Sequence, residues 1–251
     1  MSKGVALAAL LASATIGCSD LPNASLPPLP NCHSCFRDLP VALTPIPGTK
    51  PEQRRLDRDL TFVDGAGLVW KAIAGDVTDG ASIPEVFLAI TGPRFEPDFL
   101  PAAIVHDHYT DKGHLVREWW AAARMFYEAM RANGTVNGKA KLMYYAVFVF
   151  GPHWSDLDAG TPCGPNCIEL APRQTLELRR GRASSFGHGR HFYFQAASAS
   201  ARDVPEIIEM RAQIDAAEAG GHPLSLGEIE SEAFRRHPEN VFLAEAARLA
   251  R

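Results

Sequence analysis

The sequence predicts an α+β fold, with a small β-hairpin region packed on a three-helix core and followed by a helical C-terminal tail. Two observations lead to this prediction. Two short apolar segments flank a Gly-Ala-Gly turn, which is the pattern of a hairpin. Further along the chain, three longer segments repeat their apolar residues every three or four positions, as helices with one buried face do.

The hairpin is predicted from residues 60–64 and 68–73, on either side of Gly65-Ala66-Gly67. A segment rich in glycine and aspartate follows at residues 75–84. Small residues in such a segment let the backbone approach a ligand or another part of the chain closely. Together with the helices that follow, these elements define a predicted core domain over residues 51–155.

The three core helices are predicted at about residues 99–110, 116–132 and 138–150. The second ends at Asn133-Gly134, a pair typical of a helix C-cap. The third is apolar almost all round, which predicts that it lies at the centre of the domain. The second helix places these apolar side chains on one face: Trp119, Ala122, Ala123, Phe126 and Met130.

The remainder of the chain divides into an irregular segment and a helical tail. Residues 156–200 contain Gly-Pro turns and a basic, glycine-rich stretch, and are predicted to be irregular. Residues 201–251 are predicted to form helices at about 205–219 and 226–236 and a short third one after Glu239. We expect this tail to cover the core or to bind a protein partner.

Residues 1–18 resemble a bacterial lipoprotein signal, with a short basic start and an apolar run that is too short to span a bilayer. The resemblance implies that Cys18 carries a lipid that anchors the protein in the membrane. Because Ser19 rather than aspartate follows, it also implies a cell-envelope location, at the outer membrane facing the periplasm. An ordinary secretory signal and a buried first helix are the alternatives. A proline-rich tether is predicted over residues 19–50.

Four further cysteines form two close pairs, Cys32 with Cys35 and Cys163 with Cys167. In an oxidising compartment such pairs indicate two disulfide bonds, and three connectivities are open. In a reducing compartment the same spacing would instead favour a zinc site with thiolate ligands.

Composition and charge exclude one class of function. The chain has 251 residues, 46% of them apolar, and a formal net charge of -4. Binding to nucleic acid requires a concentrated basic surface. We therefore predict an ordinary globular protein that does not bind nucleic acid.

A titratable pair, His106-Asp107, interrupts the apolar first core helix. Burying such groups is unfavourable unless they are hydrogen-bonded or bind a metal ion. On a helix, His106 and Tyr109 face inward and Asp107 lies at the edge of that face. His106 is therefore a candidate general base and Asp107 a candidate calcium ligand, with Asp79 as the predicted hydrogen-bond partner that orients His106.

Two alternatives to this chemistry remain open at the level of sequence. The His-Asp pair can simply lock the packing of the helix against a neighbouring loop. A zinc site formed by His106, His108 and His114 is the other alternative, although the first two point to different faces of the helix.

Three blocks in order resemble the domain-of-unknown-function 1353 family, which occurs in phages and bacteria. They are Thr78-Asp-Gly-Ala-Ser-Ile-Pro84, Ala102-Ala-Ile-Val-His-Asp-His-Tyr109, and Arg117 followed by Phe126-Tyr-Glu-Ala-Met130. The resemblance covers roughly residues 55–155 and implies no particular activity.

A weaker similarity links the His-Asp-x-Tyr helix to secreted phospholipases of the A-two type. That similarity implies His106 as the base that activates water, Asp107 as the calcium ligand and Tyr109 as their support. Ala123 stands where the second helix of those enzymes carries an aspartate that orients the histidine. The sequence thus favours a non-catalytic envelope or structural protein, with a calcium-dependent lipid-ester hydrolase as the alternative.

Overall fold

The computed structural model describes residues 32–49, 52–80, 88–111, 114, 117–156, 167–170, 176–177, 183–184 and 190–249. The predicted signal peptide, Cys18 and the first part of the tether lie outside the described residues. Among the helices of the described segments, none combines the length and apolar character needed to cross a bilayer.

The described strands form small antiparallel sheets, and the described helices fall into a core group and a C-terminal group. The strands are β1 (Cys35–Arg37), β2 (Leu43–Ile46), β3 (Gln53–Leu56), β4 (Leu60–Val63), β5 (Val69–Ala72), β6 (Val77–Thr78), β7 (His153–Asp156), β8 (Cys167–Leu170), β9 (Leu176–Glu177), β10 (Ala183–Ser184) and β11 (Arg190–Gln195). The helices are α1 (Leu88–Thr91), α2 (Leu100–Thr110), α3 (Trp119–Ala132), α4 (Asn137–Phe150), α5 (Val204–Ala219), α6 (Leu226–Arg236) and α7 (Val241–Leu249). These elements confirm the predicted α+β class.

The predicted hairpin is formed by β4 and β5, which pair antiparallel in a sheet of order β1-β4-β5. The side chain of Asp64 organises its turn, because the carboxylate accepts hydrogen bonds from the backbone N–H of Leu68 at 2.8 Å and from Trp70 Nε1 at 3.0 Å. Gly67 adopts a φ of 79°, a conformation that favours glycine. The inner face of this sheet buries Phe62 and Trp70.

The β structure is more extensive than predicted. Two strands of the segment predicted as a tether belong to sheets: β1 pairs with β4, and β2 pairs with β3 in a sheet of order β2-β3-β6. The segment predicted to be irregular, residues 156–200, likewise contributes β8 and β11 to a sheet of order β7-β11-β8, and β9 pairs with β10. Strands of two to six residues leave little periodic signal in the sequence.

The first cysteine pair lies at the start of β1. Cys32 and Cys35 are joined by a disulfide bond, with their Cα atoms 5.8 Å apart. This selects pairing within the first cluster, and so excludes any bridge from it to the second. Cys163 lies outside the described residues, and nothing follows for its pairing with Cys167.

The three core helices lie where they were predicted, with the predicted C-terminal ends and with N-terminal ends within one to three residues of the prediction. α3 packs against both α2 and α4, and α2 packs on β4 and β5. α4 also contacts the tail helices α5 and α6, which confirms the prediction that this all-round apolar helix is central. Its largest fully buried side chains are Tyr144, Tyr145 and Phe148.

The tail helices cover the core, with α5 and α6 against α4 and α7 against β7. A charged side chain helps to fix them. Glu230 of α6 is only 5% exposed, and its carboxylate accepts two hydrogen bonds from the Arg124 guanidinium, each of 2.7 Å, and one from the Tyr144 hydroxyl. The guanidinium of an arginine and a carboxylate form two parallel hydrogen bonds in this bidentate geometry, so the contact is specific as well as strong.

Replacing Glu230 by glutamine should lower the free energy of unfolding by about 2 kcal/mol, because hydrogen bonds to a charged group contribute about 1.5–3 kcal/mol. Urea denaturation followed by circular dichroism measures the loss. Glu209→Gln is the matched control, since the Glu209 side chain is 65% exposed and its ion pair with Arg236 should contribute less than about 1 kcal/mol. Equal losses in the two variants would show that the Glu230 contact does not fix the tail.

Candidate functional site

One face of α2 lines a cavity of about 440 Å³. The helix is started by Pro101 in its first turn and stopped at Asp111, whose backbone N–H donates to the Asp107 carbonyl at 3.0 Å. Residues three and four apart lie on the same side of a helix. The stripe of α2 that faces the cavity consists of Ala103, His106, Asp107 and Thr110, and the C-cap residue Asp111 continues it.

The rest of the cavity wall comes from distant parts of the chain and is largely apolar. Phe126 of α3 and the second half of α4 form one part of the wall. Residues 194–199 form another part, held in place where the Ser198 N–H donates to the Phe150 carbonyl at 2.9 Å. Ile207 of α5 completes the enclosure. The wall residues of α4 and of the two positions that follow it are Leu142, Met143, Ala146, Val147, Phe150, Gly151 and Pro152.

His106 lies on the cavity wall with 7% of its surface exposed. Its ring packs against that of Phe126, with the ring centroids 5.0 Å apart. Burial disfavours the charged imidazolium and lowers the pKa of His106 to about 4. At neutral pH the side chain is therefore an uncharged imidazole.

Within the described residues, the His106 ring has no hydrogen-bond partner, whether a carboxylate or any other group. Its nitrogens therefore remain available to a molecule in the cavity. The sequence prediction that this ring lies on the inward face of the helix agrees with its position. The predicted hydrogen bond from this ring to a loop or to an acidic side chain is not present among the described residues.

Asp107 connects α2 to the loop that begins after β6. Its carboxylate accepts a hydrogen bond of 2.7 Å from the hydroxyl of Thr78, and Thr78 is itself buried. The same hydroxyl accepts from the N–H of Gly80 at 3.0 Å. Two of the sequence blocks singled out above, one around residue 78 and one around residue 106, therefore meet at Asp107.

Asp79 does not orient His106, which corrects the prediction from sequence. Its carboxylate instead pairs with the Arg94 guanidinium at 3.2 Å. The turn at Gly80, with a φ of 83°, brings its own backbone against Arg94, and a Cβ at Gly80 would lie 2.3 Å from the Arg94 carbonyl oxygen. This close approach requires glycine and directs the neighbouring Asp79 to Arg94 rather than to the cavity.

Tyr109 joins α2 to the hairpin. Its hydroxyl accepts a hydrogen bond of 3.1 Å from the N–H of Lys71, and its ring meets that of Trp70 edge-on at a centroid distance of 4.8 Å. The Arg117 guanidinium lies 4.0 Å from the centroid of the Trp70 ring and donates to the Val69 carbonyl at 2.7 Å. Tyr109 thus positions the helix that carries His106, on the side of α2 that faces the sheet.

The remaining histidines of this region form a separate pair. His108 hydrogen-bonds to Asp76, with Nδ1 and Oδ2 2.8 Å apart, and its ring stacks on that of His114 at 4.2 Å. Burial favours the protonated form of the Asp76 carboxyl, but the hydrogen bonds from His108 and from the Ile73 N–H outweigh it and lower the pKa. The sequence missed this cluster because Asp76 lies 32 residues from His108.

The structure does not bring together the three histidines considered as zinc ligands. Across the described part of the chain, no three His, Cys, Asp or Glu side chains are placed to hold a metal ion. His106 faces Phe126, whereas His108 stacks on His114. Ala123, on α3 one turn before Phe126, is 1% exposed and offers no acceptor for the imidazole.

The fold and this site define an α+β protein with an apolar cavity beside a buried His106 and a partly buried Asp107. The chain belongs to the family described as proteins of unknown function, DUF1353, whose model matches residues 54–147. This confirms the family that the three sequence blocks predicted.

Two relatives come from Sinorhizobium fredii (strain NBRC 101917 / NGR234). The uncharacterized protein y4iH is 34% identical over 211 residues, which cover 83% of this chain and 81% of that protein. The uncharacterized protein y4jT is 42% identical over 101 residues, 40% of this chain but only 29% of that longer protein. The comparison with solved structures found no match.

Proposed function

We propose that this protein is a non-catalytic envelope protein that binds an apolar molecule in the cavity beside α2. The observation that carries the proposal is an unpartnered, neutral His106 on the wall of an otherwise largely apolar cavity. The cavity volume of about 440 Å³ falls within the range of roughly 300–1,000 Å³ typical of ligand pockets. Such pockets combine apolar walls with a few polar groups that orient the ligand.

Two features argue against catalysis by His106. A general base is most effective when its pKa lies near the working pH, whereas burial lowers the pKa of His106 to about 4. No carboxylate of the described residues orients the ring, and loss of an orienting acid reduces the rate by about four orders of magnitude in serine proteases. An imidazole of this kind is better suited to accept or donate one hydrogen bond to a bound molecule.

The envelope location rests on the N-terminal sequence and on the cysteines. The apolar run that ends at Gly17-Cys18 is typical of a lipoprotein signal, and lipidated Cys18 would be the membrane anchor. The Cys32–Cys35 disulfide is consistent with an oxidising compartment, because disulfides rarely persist in the cytosol. The family's occurrence in phages and bacteria fits either a cellular or a phage-derived envelope protein.

The alternative is a calcium-dependent hydrolase of lipid esters. It is favoured by one observation, the opening of His106 onto a cavity whose walls suit an alkyl chain, next to a carboxylate. In this proposal His106 is the base, Asp107 the calcium ligand, and Tyr109 the residue that positions their helix. Asp79 would have to leave Arg94 to take the orienting role.

One experiment tests both proposals on the full chain carrying Cys18→Ser, which prevents attachment of a lipid. Binding of the uncharged fluorescent probe N-phenyl-1-naphthylamine is measured, together with release of fatty acid from phosphatidylglycerol vesicles in calcium and in EDTA. We expect saturable probe binding and no calcium-dependent release. Release that requires calcium and disappears in His106→Ala would establish the hydrolase instead.

The matched control separates cavity binding from adsorption to the surface. Ala146→Trp should fill the cavity and weaken probe binding by at least about tenfold, which corresponds to about 1.4 kcal/mol. Ile208→Trp adds the same ring at a side chain that is 54% exposed, and should leave binding unchanged. Probe binding that is equal in both variants, or absent from the parent, would overturn the cavity proposal.

A further inference from the structure

The ring nitrogens of His106 open onto the cavity. Buried polar groups are normally hydrogen-bonded, yet within the described residues this ring, on a residue that is 7% exposed, has no partner. In the same part of the chain, the side-chain nitrogens that are sealed from solvent and lack a partner include Nδ1 of His153 but neither ring nitrogen of His106. The His106 nitrogens therefore reach accessible space, and the accessible space beside this residue is the cavity.

A single buried imidazole suits one kind of metal ligation. Burial lowers the pKa of His106 to about 4, so at neutral pH one ring nitrogen carries a free lone pair. A bare metal ion needs several protein ligands, and no three His, Cys, Asp or Glu side chains of the described residues are placed to hold one. Haem iron needs only one, since the porphyrin supplies the in-plane nitrogens; in globins that ligand is a histidine.

The cavity wall combines small and aromatic side chains. Ala103 lies one turn before His106 on the same stripe of α2, so no bulky side chain stands beside the imidazole on that turn. Phe126, Phe150 and Phe194 also line the cavity. Aromatic rings pack favourably against the faces and edges of other π-systems. This wall therefore favours a flat, largely apolar ring system next to His106.

The carboxylates of haem determine which edge of the macrocycle faces outward. Burying a charged group in an apolar cavity is unfavourable, so the edge that carries the carboxylates has to remain in water. Ala196 and Ala197 line the cavity and are themselves exposed to solvent, so the cavity opens on their side. The volume of about 440 Å³ then has to enclose only the apolar part of the macrocycle.

We propose that the cavity binds haem, with one ring nitrogen of His106 as an axial ligand of the iron. This inference rests on the proposed binding function, and it adds the chemical class of the ligand, an iron porphyrin. The lone pair of the unprotonated nitrogen forms the bond to iron, and no proton has to leave the ring at neutral pH. The macrocycle packs against the apolar wall, and its carboxylates lie at the opening beside Ala196 and Ala197.

The test compares haemin, the ferric form of haem, with protoporphyrin IX, which is the same macrocycle without iron. Each is titrated into the full chain carrying Cys18→Ser at neutral pH, and difference absorption spectra measure binding. We expect both to bind, and haemin to bind at least about tenfold more tightly, a difference of about 1.4 kcal/mol that ligation of the iron supplies. A sharpened, shifted Soret band of haemin marks the ligated state.

Substitutions identify the ligand of the iron. His106→Ala should reduce the affinity for haemin to that for protoporphyrin IX and leave protoporphyrin IX binding unchanged, which also shows that the variant folds. Added imidazole, which fits the space left by the ring, should restore the Soret band of this variant. His222→Ala removes an exposed histidine and should preserve haemin binding. Met143→Leu removes a thioether from the cavity wall, a group that also ligates haem iron, and should preserve the band.

The outcomes distinguish this inference from the function on which it rests. If N-phenyl-1-naphthylamine and both porphyrins fail to bind, the proposed binding function is wrong. If the probe binds but haemin does not, or binds no more tightly than protoporphyrin IX, the cavity binds apolar molecules and the haem proposal is wrong. A Soret band that survives His106→Ala without added imidazole would also overturn it. Haemin binding that persists in the cavity-filling variant Ala146→Trp would show adsorption to the surface, and would overturn it as well.

Discussion

Replacing Trp70 by alanine should lower the free energy of unfolding by about 3–5 kcal/mol, the range measured when a buried aromatic residue is truncated. Trp70 is 1% exposed and contributes to the contact between the hairpin and α2 through Tyr109. Its Nε1 donates to Asp64, its ring meets that of Tyr109 edge-on, and the Arg117 guanidinium lies against its face. Truncation leaves a cavity and removes all three contacts.

Urea denaturation measures this loss, and two further variants separate its causes. Val69→Ala lies on the same strand at a side chain that is 43% exposed, and should cost less than about 1 kcal/mol. Trp70→Phe keeps most of the volume and removes the hydrogen bond to Asp64, so its effect should be intermediate. A Trp70→Ala loss no larger than that of Val69→Ala would show that this contact does not stabilise the domain.

The sequence predicted the helices well because their signals are local. An apolar face repeats within one helix, and Asn133-Gly134 ends α3 through a glycine with a φ of 95°. The hairpin was predicted for the same reason, since both strands and the turn lie within 14 residues of sequence. In contrast, β1 is only three residues long, and β2 and β3 lie between it and its partner β4 in the sequence. No local pattern therefore revealed β1.

The candidate site was predicted only in part, for a related reason. Helical periodicity correctly placed His106 on a buried face. The hydrogen bond between Thr78 and Asp107 was not predicted, because the sequence analysis assigned the contact between this loop and α2 to Asp79. The partner of Asp79 was predicted wrongly because the tight turn at Gly80 determines it, and the sequence does not specify which backbone that turn approaches. The cavity itself was not predicted, since residues 194–207 close it from about 90 positions away along the chain.

Two buried histidines should make the protein unusually sensitive to mild acid. His106 is 7% exposed, and His153 is fully buried between the rings of Trp119 and Phe242. Desolvation lowers the pKa of each to about 4, and for His153 it outweighs the hydrogen bond to the Phe148 carbonyl, which acts in the opposite direction. In the unfolded chain both rings should titrate near 6.5.

Acid destabilises the folded state because the unfolded state binds more protons at these two rings. Above about pH 7.5 both states are almost entirely neutral at these rings, so the rings contribute no pH dependence there. As the pH falls from about 6.5 to about 4, the unfolded state takes up protons that the folded state does not, and folding becomes less favourable. A pKa difference of about 2.5 corresponds to about 3 kcal/mol for each histidine over this range.

Urea denaturation at a series of pH values between 4.5 and 7.5 measures this slope. His106→Leu and His153→Gln should each remove about half of the slope, whatever their effect on stability at neutral pH. The slope depends only on the difference in the number of bound protons between the unfolded and folded states. His222→Gln, at an exposed histidine, should leave it unchanged. Carboxyls whose pKa is lowered in the folded state, such as Glu232 and Asp76, add to the slope near pH 4.5, because the unfolded chain takes up their protons there. The contributions of the two histidines are therefore compared between pH 5.5 and 7.5. A slope between pH 5.5 and 7.5 that is unchanged in the double variant would mean that neither ring is held neutral by burial, and the neutral imidazole on the cavity wall would lose its physical basis.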